Sequence, residues 1–233
     1  MSESDHPTVF QGLNYLILRE FSRFDLAVEY PDLAMIPCFF VWKVFMSARL
    51  RFSYADLHQT IAHGVRQIIA SDFQFDVILA IGGGGFIPAR ILRTYVEKPL
   101  IAISLARYHP DEPPSEIPFK LQWVEGVNNM ITGKRVLLVD EVDDERTTLA
   151  FAIGELLAEN PAEIGVFVMH NKLKPKKAEF PQTVKHVFVG KDIEDVWVDY
   201  PWDARDIVQH ERDAAKGGVL EVDEDEAKAA YRN

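Results

Sequence analysis

The sequence predicts an α/β fold with a mostly parallel, twisted sheet flanked by helices, and three observations carry that prediction. From residue 46 to about 212, short β-branched runs alternate with helical stretches. Two of the runs, Val77–Ile81 and Val136–Val139, are apolar throughout and read as strands buried on both faces. Each of these ends in unusual chemistry: four consecutive glycines at 82–85, and five acids within the six positions 140–145. Sheets of this class bind ligands beyond the carboxyl ends of their strands, which is where both features fall.

Ser53 with Asp56 has the form of a capping box, and Tyr54, Leu57, Ile61, Val65 and Ile68 follow at helical spacing. Val77–Ile81 is the next strand, Pro88–Val96 a helix and Leu100–Ser104 a strand. Residues 107–125 are polar and hold Pro110, Pro113, Pro114 and Pro118, which predicts a long exposed loop. Val136–Val139 is a strand, Thr147–Leu157 a helix, and Ile164–Met169 and Val184–Val189 complete the strand set. Residues 213–233 are charged and alanine-rich, with Glu221, Asp223, Glu224, Asp225 and Glu226 nearly adjacent, and read as a solvated acidic tail.

The 233 residues suit one domain with an appendage. The formal net charge of −11 disfavours a nucleic-acid binder, which needs a basic face to displace counterions from phosphates. A single cysteine, Cys38, excludes an intramolecular disulfide framework and the usual zinc patterns, and is compatible with a reducing compartment. The densest apolar run, 35–42, contains Pro37 and is too short to span a bilayer. Residues 1–7 carry two acids and no basic residue, so they lack the charged start of a secretory signal. The expectation is a cytoplasmic protein with no membrane partner and no nucleic-acid partner.

Four glycines in a row let a backbone approach a ligand closely, although a tight strand-to-helix turn uses them equally well. The acidic segment is more specific. A buried strand runs into Asp140, Glu141, Asp143, Asp144 and Glu145, then Arg146, Thr147 and Thr148 at a helix start. Crowded like charges repel, so a metal ion or a polyhydroxyl ligand accounts for them. The helix N-terminus, with its free N–H groups, is a seat for a phosphate beside Thr147 and Thr148.

The segment 140–148 resembles the phosphoribosyl pyrophosphate signature of the type I phosphoribosyltransferases. It is similar, more narrowly, to the fungal purine branch that comprises hypoxanthine-guanine and xanthine phosphoribosyltransferases. Also similar are 81–90, His170-Asn171-Lys172 with Lys174-Pro175-Lys176-Lys177, and Trp197 with Tyr200-Pro201-Trp202-Asp203. The resemblance runs from about Met46 to Arg212. It divides the chain into an N-terminal extension at 1–45, a phosphoribosyltransferase domain at 46–212 and the acidic tail. Met46-Ser47-Ala48 reads like a natural start, so residues 1–45 are expected to be dispensable; the alternative is an added element that docks on the domain or at a subunit contact.

The resemblance implies the type I phosphoribosyltransferase fold with a small C-terminal purine-binding hood. It also implies transfer of 5-phosphoribosyl from phosphoribosyl pyrophosphate to N9 of a 6-oxopurine, with Mg2+ and in a dimer or tetramer. Asp140 and Glu141 would sit near the ribose hydroxyls, Glu141 partly through the metal. Residues Asp143, Asp144, Glu145, Arg146, Thr147 and Thr148 would form the phosphoribosyl pyrophosphate loop, with Asp144 as general acid/base facing purine N7. Gly83 and Gly84 fall on the pyrophosphate loop. Many relatives carry Arg or Lys at the position of Gly83, with Arg90 and Lys172 as possible substitutes here. Lys172 resembles the lysine that bonds O6, Trp197 the ring stacked on the purine, and Val198 and Asp199 the groups near its 2-position. Hypoxanthine and guanine are the expected bases and xanthine the alternative. A phosphoribosyl-pyrophosphate-sensing regulator that lost the chemistry, and an adenine or orotate enzyme, are less consistent with Asp144, Lys172 and Trp197.

Overall fold

A computed structural model describes residues 48–107, 117–124, 128–217 and 219–221. The reading of 1–45 as an extension, and the tail beyond 221, lie outside the described residues.

The elements, in order, are β1 (Ala48–Arg51), α1 (Tyr54–Ala70), β2 (Val77–Gly82), α2 (Phe86–Val96), β3 (Leu100–Ala106) and β4 (Phe119–Gln122). They continue with β5 (Arg135–Asp143), α3 (Thr147–Ala158), β6 (Glu163–Lys172), β7 (His186–Ile193), β8 (Trp197–Asp199), α4 (Ile207–Ala214) and β9 (Val219–Glu221). Short 3₁₀ turns occupy Asn128–Met130 and Pro201–Asp203.

A six-stranded sheet has the order β4-β3-β2-β5-β6-β7, with β4 antiparallel and every other pairing parallel. Its side chains alternate between two cores, as a strand period of two requires. Ile78, Ala80, Leu137, Val139, Phe167 and Met169 pack with α1 and α2. Val77, Leu79, Ile81, Val136, Leu138 and Val166 pack with α3. Burial on both faces is why these strands read as unbroken apolar runs. From β2 the chain builds outward through β3 and β4; it then crosses to β5 and builds the other way. The switch point lies between β2 and β5, the place where sheets of this class open a ligand crevice.

The capping box is present: Ser53 Oγ accepts from the Asp56 N–H at 3.1 Å, and Asp56 Oδ2 accepts from the Ser53 N–H at 2.9 Å. Leu57, Ile61, Val65 and Ile68 are buried beneath α1, whereas Tyr54, on the first turn, is exposed.

Several boundaries differ from the sequence reading. The expected loop at 107–125 contains β4, an edge strand whose Lys120 and Leu121 face solvent, so no apolar run marks it. β5 extends four residues past Val139 and carries Asp140, Glu141 and Asp143 as strand residues. β6 likewise runs to Lys172, which lies on the strand rather than after it.

A second sheet, β8-β1-β9, sits at the ligand end of α1. β1 pairs parallel with β8 and antiparallel with β9. Val219–Glu221 is therefore strand within the segment read as a solvated tail. Asp199 on β8 accepts from Arg49 at 2.6 Å and from Arg51 at 3.3 Å, and Arg51 also bonds Asp213 at 2.9 Å. An aromatic column joins this sheet to the larger one. Phe52 stacks on His170 at 4.3 Å, and Tyr200 stacks on Trp202 at 4.6 Å. His170 Nδ1 and the Tyr200 hydroxyl share a 2.9 Å hydrogen bond.

His170 is fully buried at the carboxyl end of β6. Burial pushes its pKa down from 6.5 to about 3, and the charge of Lys191 acts in the same direction. The unfolded chain binds a proton at this ring as pH falls through 6.5, and the folded chain does not until about 3. Stability is therefore complete above 6.5 and declines on acidification between those values, by on the order of a few kcal/mol. His170→Phe should flatten this decline, measured as the urea midpoint between pH 7 and pH 4. A slope equal to that of the parent would show that His170 is not its source.

Candidate active site

At the carboxyl end of β2 the chain turns through Gly83, Gly84 and Gly85 into α2. A Cβ on Gly85 would meet the carbonyl oxygens of Ile81 and Val139 at 2.5 and 2.7 Å. A Cβ on Gly84 would overlap the Glu141 carboxylate. The turn thus packs its backbone directly on β5, which only glycine permits. Gly83 points into open space. Arg90 lies outside the crevice, exposed on α2, and donates to Thr94 at 3.0 Å.

The β2–α2 turn, the end of β3 and the segment 140–149 enclose a cavity of about 450 Å3. Asp140, Glu141, Asp143, Asp144, Glu145, Arg146, Thr147 and Thr148 all line it, together with Gly83 and Gly84. Arg107, at the end of β3, also lines it and supplies a cation that Gly83 cannot. The sequence marks it only as an arginine at the mouth of a proline-rich segment.

Asp140 is buried, and its Oδ1 accepts from the Glu141 N–H at 3.0 Å. Burial pushes its carboxyl well above the usual range, and the neighbouring Glu141 charge pushes it further. Asp143, 2% exposed, points away from the carboxylate pair. It accepts from Arg146 Nε at 3.0 Å and Nη2 at 2.8 Å, and the same guanidinium lies 4.1 Å over the Phe180 ring. That clamp holds Arg146 at φ 65°, a left-handed conformation rare for a non-glycine residue. The Arg146 side chain is therefore committed to the turn. Its contribution to a ligand is the shape of the backbone loop. No side chain caps α3, and Thr147 Oγ1 is buried without a hydrogen-bond partner. Uncapped N–H groups and an orphaned hydroxyl facing one cavity make an anion seat.

Asp144 faces the other half of the site. Lys174 Nζ lies 2.7 Å and Lys172 Nζ 3.3 Å from its carboxylate. Both lysines also reach Asp195, Lys174 at 3.0 Å and Lys172 at 3.7 Å. Burial works to raise the Asp144 pKa, but the Lys174 hydrogen bond and the Lys172 charge outweigh it and hold the carboxyl below its usual value. The Lys172 side chain is only 9% exposed. Lys174 and Asp195 complete a four-membered charge ring that the sequence reading did not assemble, because Asp195 comes from the β7–β8 turn.

Trp197 is exposed on β8, with the Arg49 guanidinium 5.7 Å from its ring. Val198 beside it packs partly into the core. Asp199, expected near the purine 2-position, turns its carboxylate onto Arg49 and Arg51 and so ties β8 to β1. Lys172 and Trp197 do not line the cavity itself; Asp144 joins Lys172 to it.

Among the described residues no group of three His, Cys, Asp or Glu side chains could hold a metal ion. Asp140 and Glu141 nevertheless fit Mg2+, which commonly takes one or two carboxylates and fills its shell with phosphate and water oxygens. A cation there would also relieve the repulsion that raises Asp140.

A parallel sheet whose switch-point crevice pairs crowded carboxylates with an anion seat belongs to the class of α/β proteins that bind phosphorylated ligands there. Residues 53–205 match the phosphoribosyl transferase domain, and the chain belongs to that family. It is 41% identical to a hypoxanthine-guanine phosphoribosyltransferase of Schizosaccharomyces pombe, over 74% of this chain and 97% of that protein. It is 35% identical to xanthine phosphoribosyltransferase 1 of Saccharomyces cerevisiae, over 70% of this chain and 93% of that protein. A crystal structure of a Neisseria gonorrhoeae protein with bound ppGpp superposes with a TM-score of 0.69 at 41% identity, over 74% of this chain and 99% of that one.

A buried acid with a raised pKa destabilises the folded state progressively as pH rises through the ordinary carboxylate range, and the loss is complete above the raised value. Asp140→Asn keeps an oxygen for the Glu141 N–H and removes that burden. Its unfolding temperature at pH 7 should rise by about 2–4 °C, and the gain should vanish near pH 3. Phosphoribosyl pyrophosphate binding, by titration calorimetry with Mg2+, should weaken roughly tenfold or more. A variant less stable than its parent at pH 7 contradicts the account of Asp140.

Proposed function

We propose that the protein is a cytoplasmic purine-salvage enzyme. It transfers 5-phosphoribosyl from phosphoribosyl pyrophosphate to N9 of hypoxanthine or guanine and releases pyrophosphate. The observation that carries this reading is the position of Asp144, which lines the phosphate-seating cavity and bonds Lys172 and Lys174 on its other side. A carboxylate so placed faces both substrates. The two yeast relatives named above are purine phosphoribosyltransferases, and ppGpp, held by the gonococcal protein, is a guanine nucleotide carrying diphosphates.

The 5′-phosphate rests on the α3 N-terminus and Thr147, and Asp140 and Glu141 take the ribose hydroxyls. Glycine N–H groups and Arg107 face the pyrophosphate. Asp140 and Glu141 would hold Mg2+, and such a cation would supply positive charge beside the pyrophosphate. The base stacks on Trp197, and Lys172 donates to O6; an ammonium cannot accept from the amino group that adenine presents there. As the C1′–O bond breaks and the N9–C1′ bond forms, the purine loses a proton to the Asp144 carboxylate. Lys172 turning from Asp144 to O6 removes one of the charges that depress Asp144, which increases its affinity for that proton as the base arrives. A dimer or tetramer is the expected assembly.

The xanthine reading rests on the same ring of lysines, because xanthine also presents an oxygen at position 6. Its support is the 35% identity to a xanthine enzyme, against 41% to a hypoxanthine-guanine one.

Incubation of the protein with phosphoribosyl pyrophosphate, Mg2+ and each of hypoxanthine, guanine, xanthine and adenine should yield nucleotide with the first two, less with xanthine and none with adenine. Chelation of the metal should stop turnover. Adenine as the preferred base, or no transfer with any base, overturns the reading.

Asp144→Asn should lower kcat by about 10²-fold or more while phosphoribosyl pyrophosphate still binds. Lys172→Ala should weaken purine binding far more than phosphoribosyl pyrophosphate binding and erode discrimination against adenine. Near-normal turnover in the first variant removes Asp144 from the mechanism. Equal losses for both substrates in the second move the O6 contact away from Lys172.

A further inference from the structure

Lys176 lies in the seam between the phosphate half of the site and the purine half. Its Nζ donates to three carbonyl oxygens, those of Asp143 at 2.6 Å, Asp144 at 2.9 Å and Lys172 at 2.9 Å. An ammonium has three donors and no acceptor, so the three carbonyls consume it. The side chain is 9% exposed, and the Asp143 carboxylate at 3.7 Å supplies its counter-charge. With every donor used and its head enclosed, Lys176 has nothing to offer a phosphate or a purine directly.

The three carbonyls belong to two different strand ends. The β5–β6 ladder finishes at Asp143 paired with Asn171, so Asp144 and Lys172 have both left its register. Past that point the sheet no longer fixes one relative to the other, and these are the residues that must meet a single purine at N7 and O6. The Lys176 ammonium bridges the gap. Lys177 repeats the link one residue on: its N–H donates to the Glu145 carbonyl at 3.0 Å, and its Nζ lies 2.8 Å from the Glu145 carboxylate. Burying an ammonium is costly unless its bonds are well made, and a methionine would fill the same space without that cost.

Taking the proposed transfer reaction as the activity, we infer that Lys176 is a positioning residue, whose ammonium sets the backbone of Asp144 against that of Lys172 and so aligns the N7 proton acceptor with the O6 donor. It touches neither substrate and acts through those two residues.

The test uses the full chain with Lys176→Met and Lys176→Gln. Steady-state kinetics with hypoxanthine and phosphoribosyl pyrophosphate are measured beside amide hydrogen exchange over 143–148 and 170–174. Lys176→Met should lower kcat by about tenfold to a hundredfold, the scale of an ångström-sized misplacement of reacting groups. The KM for phosphoribosyl pyrophosphate should change by less than about threefold, a split that a loss of folded protein does not produce. Exchange should quicken in the two named stretches and not in α1. Lys176→Gln, whose amide supplies two of the three donors, should recover part of kcat. A folded Lys176→Met protein with kcat within twofold of the parent overturns the inference. So does an activity loss matching the unfolded fraction with unchanged exchange at 143–148. Should Lys176→Met fail to fold, Lys176→Gln is judged by the same two outcomes. If the parent itself transfers phosphoribosyl to no purine, the functional reading fails alone, and unchanged exchange in the variants remains the result that overturns the bridge.

Discussion

The contact of the β2–α2 turn with the end of β5 is the constraint on which the ligand face depends. Gly85 lies against two carbonyl oxygens, one from its own strand and one from Val139, and Gly84 lies against the Glu141 carboxylate. A side chain at Gly85 would push the turn off β5 and open the floor of the cavity, and one at Gly84 would displace the Glu141 carboxylate. β2 and β5 are neighbours across the topological switch, and the cavity opens beyond their carboxyl ends. The glycines keep that space open, and the carboxylates that would otherwise repel one another face into it.

Charge organises the rest of the site in three separate compartments. Asp140 and Glu141 stand side by side at the cavity, where burial and the Glu141 charge raise the proton affinity of Asp140. Asp143 is spent on Arg146, which sits over Phe180 and shapes the loop. Asp144 is shared between Lys172 at the end of β6 and Lys174 just beyond it, with Asp195 competing for the same ammoniums. Four acids within five positions thus have three environments, set by whether each points into the cavity, back into the turn or across to β6. Asp140 and Asp143 are nearly enclosed, whereas Glu141 and Asp144 stand at the surface of the cleft.

Much of this was legible in the sequence, for physical reasons that can be named. Strands buried on both faces leave continuous apolar runs, so β2, β5 and β6 were visible, and a capping box marked the start of α1. The glycines and the acid-hydroxyl segment were visible because few structural roles use such residues in that order. β4 was not visible, because an edge strand with solvent on most of its side chains has no apolar period. β1, β8 and β9, at three or four residues each, are too short to carry one. The roles of individual charges were the least legible. Asp199 was expected near the purine 2-position, but its carboxylate is taken by Arg49 and Arg51, and nothing along the chain announces a pairing across roughly 150 positions. Asp195 and Lys176 act through neighbours that only the fold supplies.

The order of strands β8-β1-β9 has a consequence for how the protein comes off the ribosome. β1 precedes every strand of the large sheet, yet both of its partners are among the last segments synthesised. The large sheet can pair its strands as soon as β7 emerges, since its neighbours are close in the chain. The platform that bears Trp197 cannot, because its central strand must wait unpaired through the synthesis of nearly the whole domain. Long-range pairings of this kind are slow and leave an open strand edge in the interval. The chain therefore completes its large sheet first and its small sheet at the end, with β1 as an exposed edge that a chaperone or a second nascent chain can occupy in between.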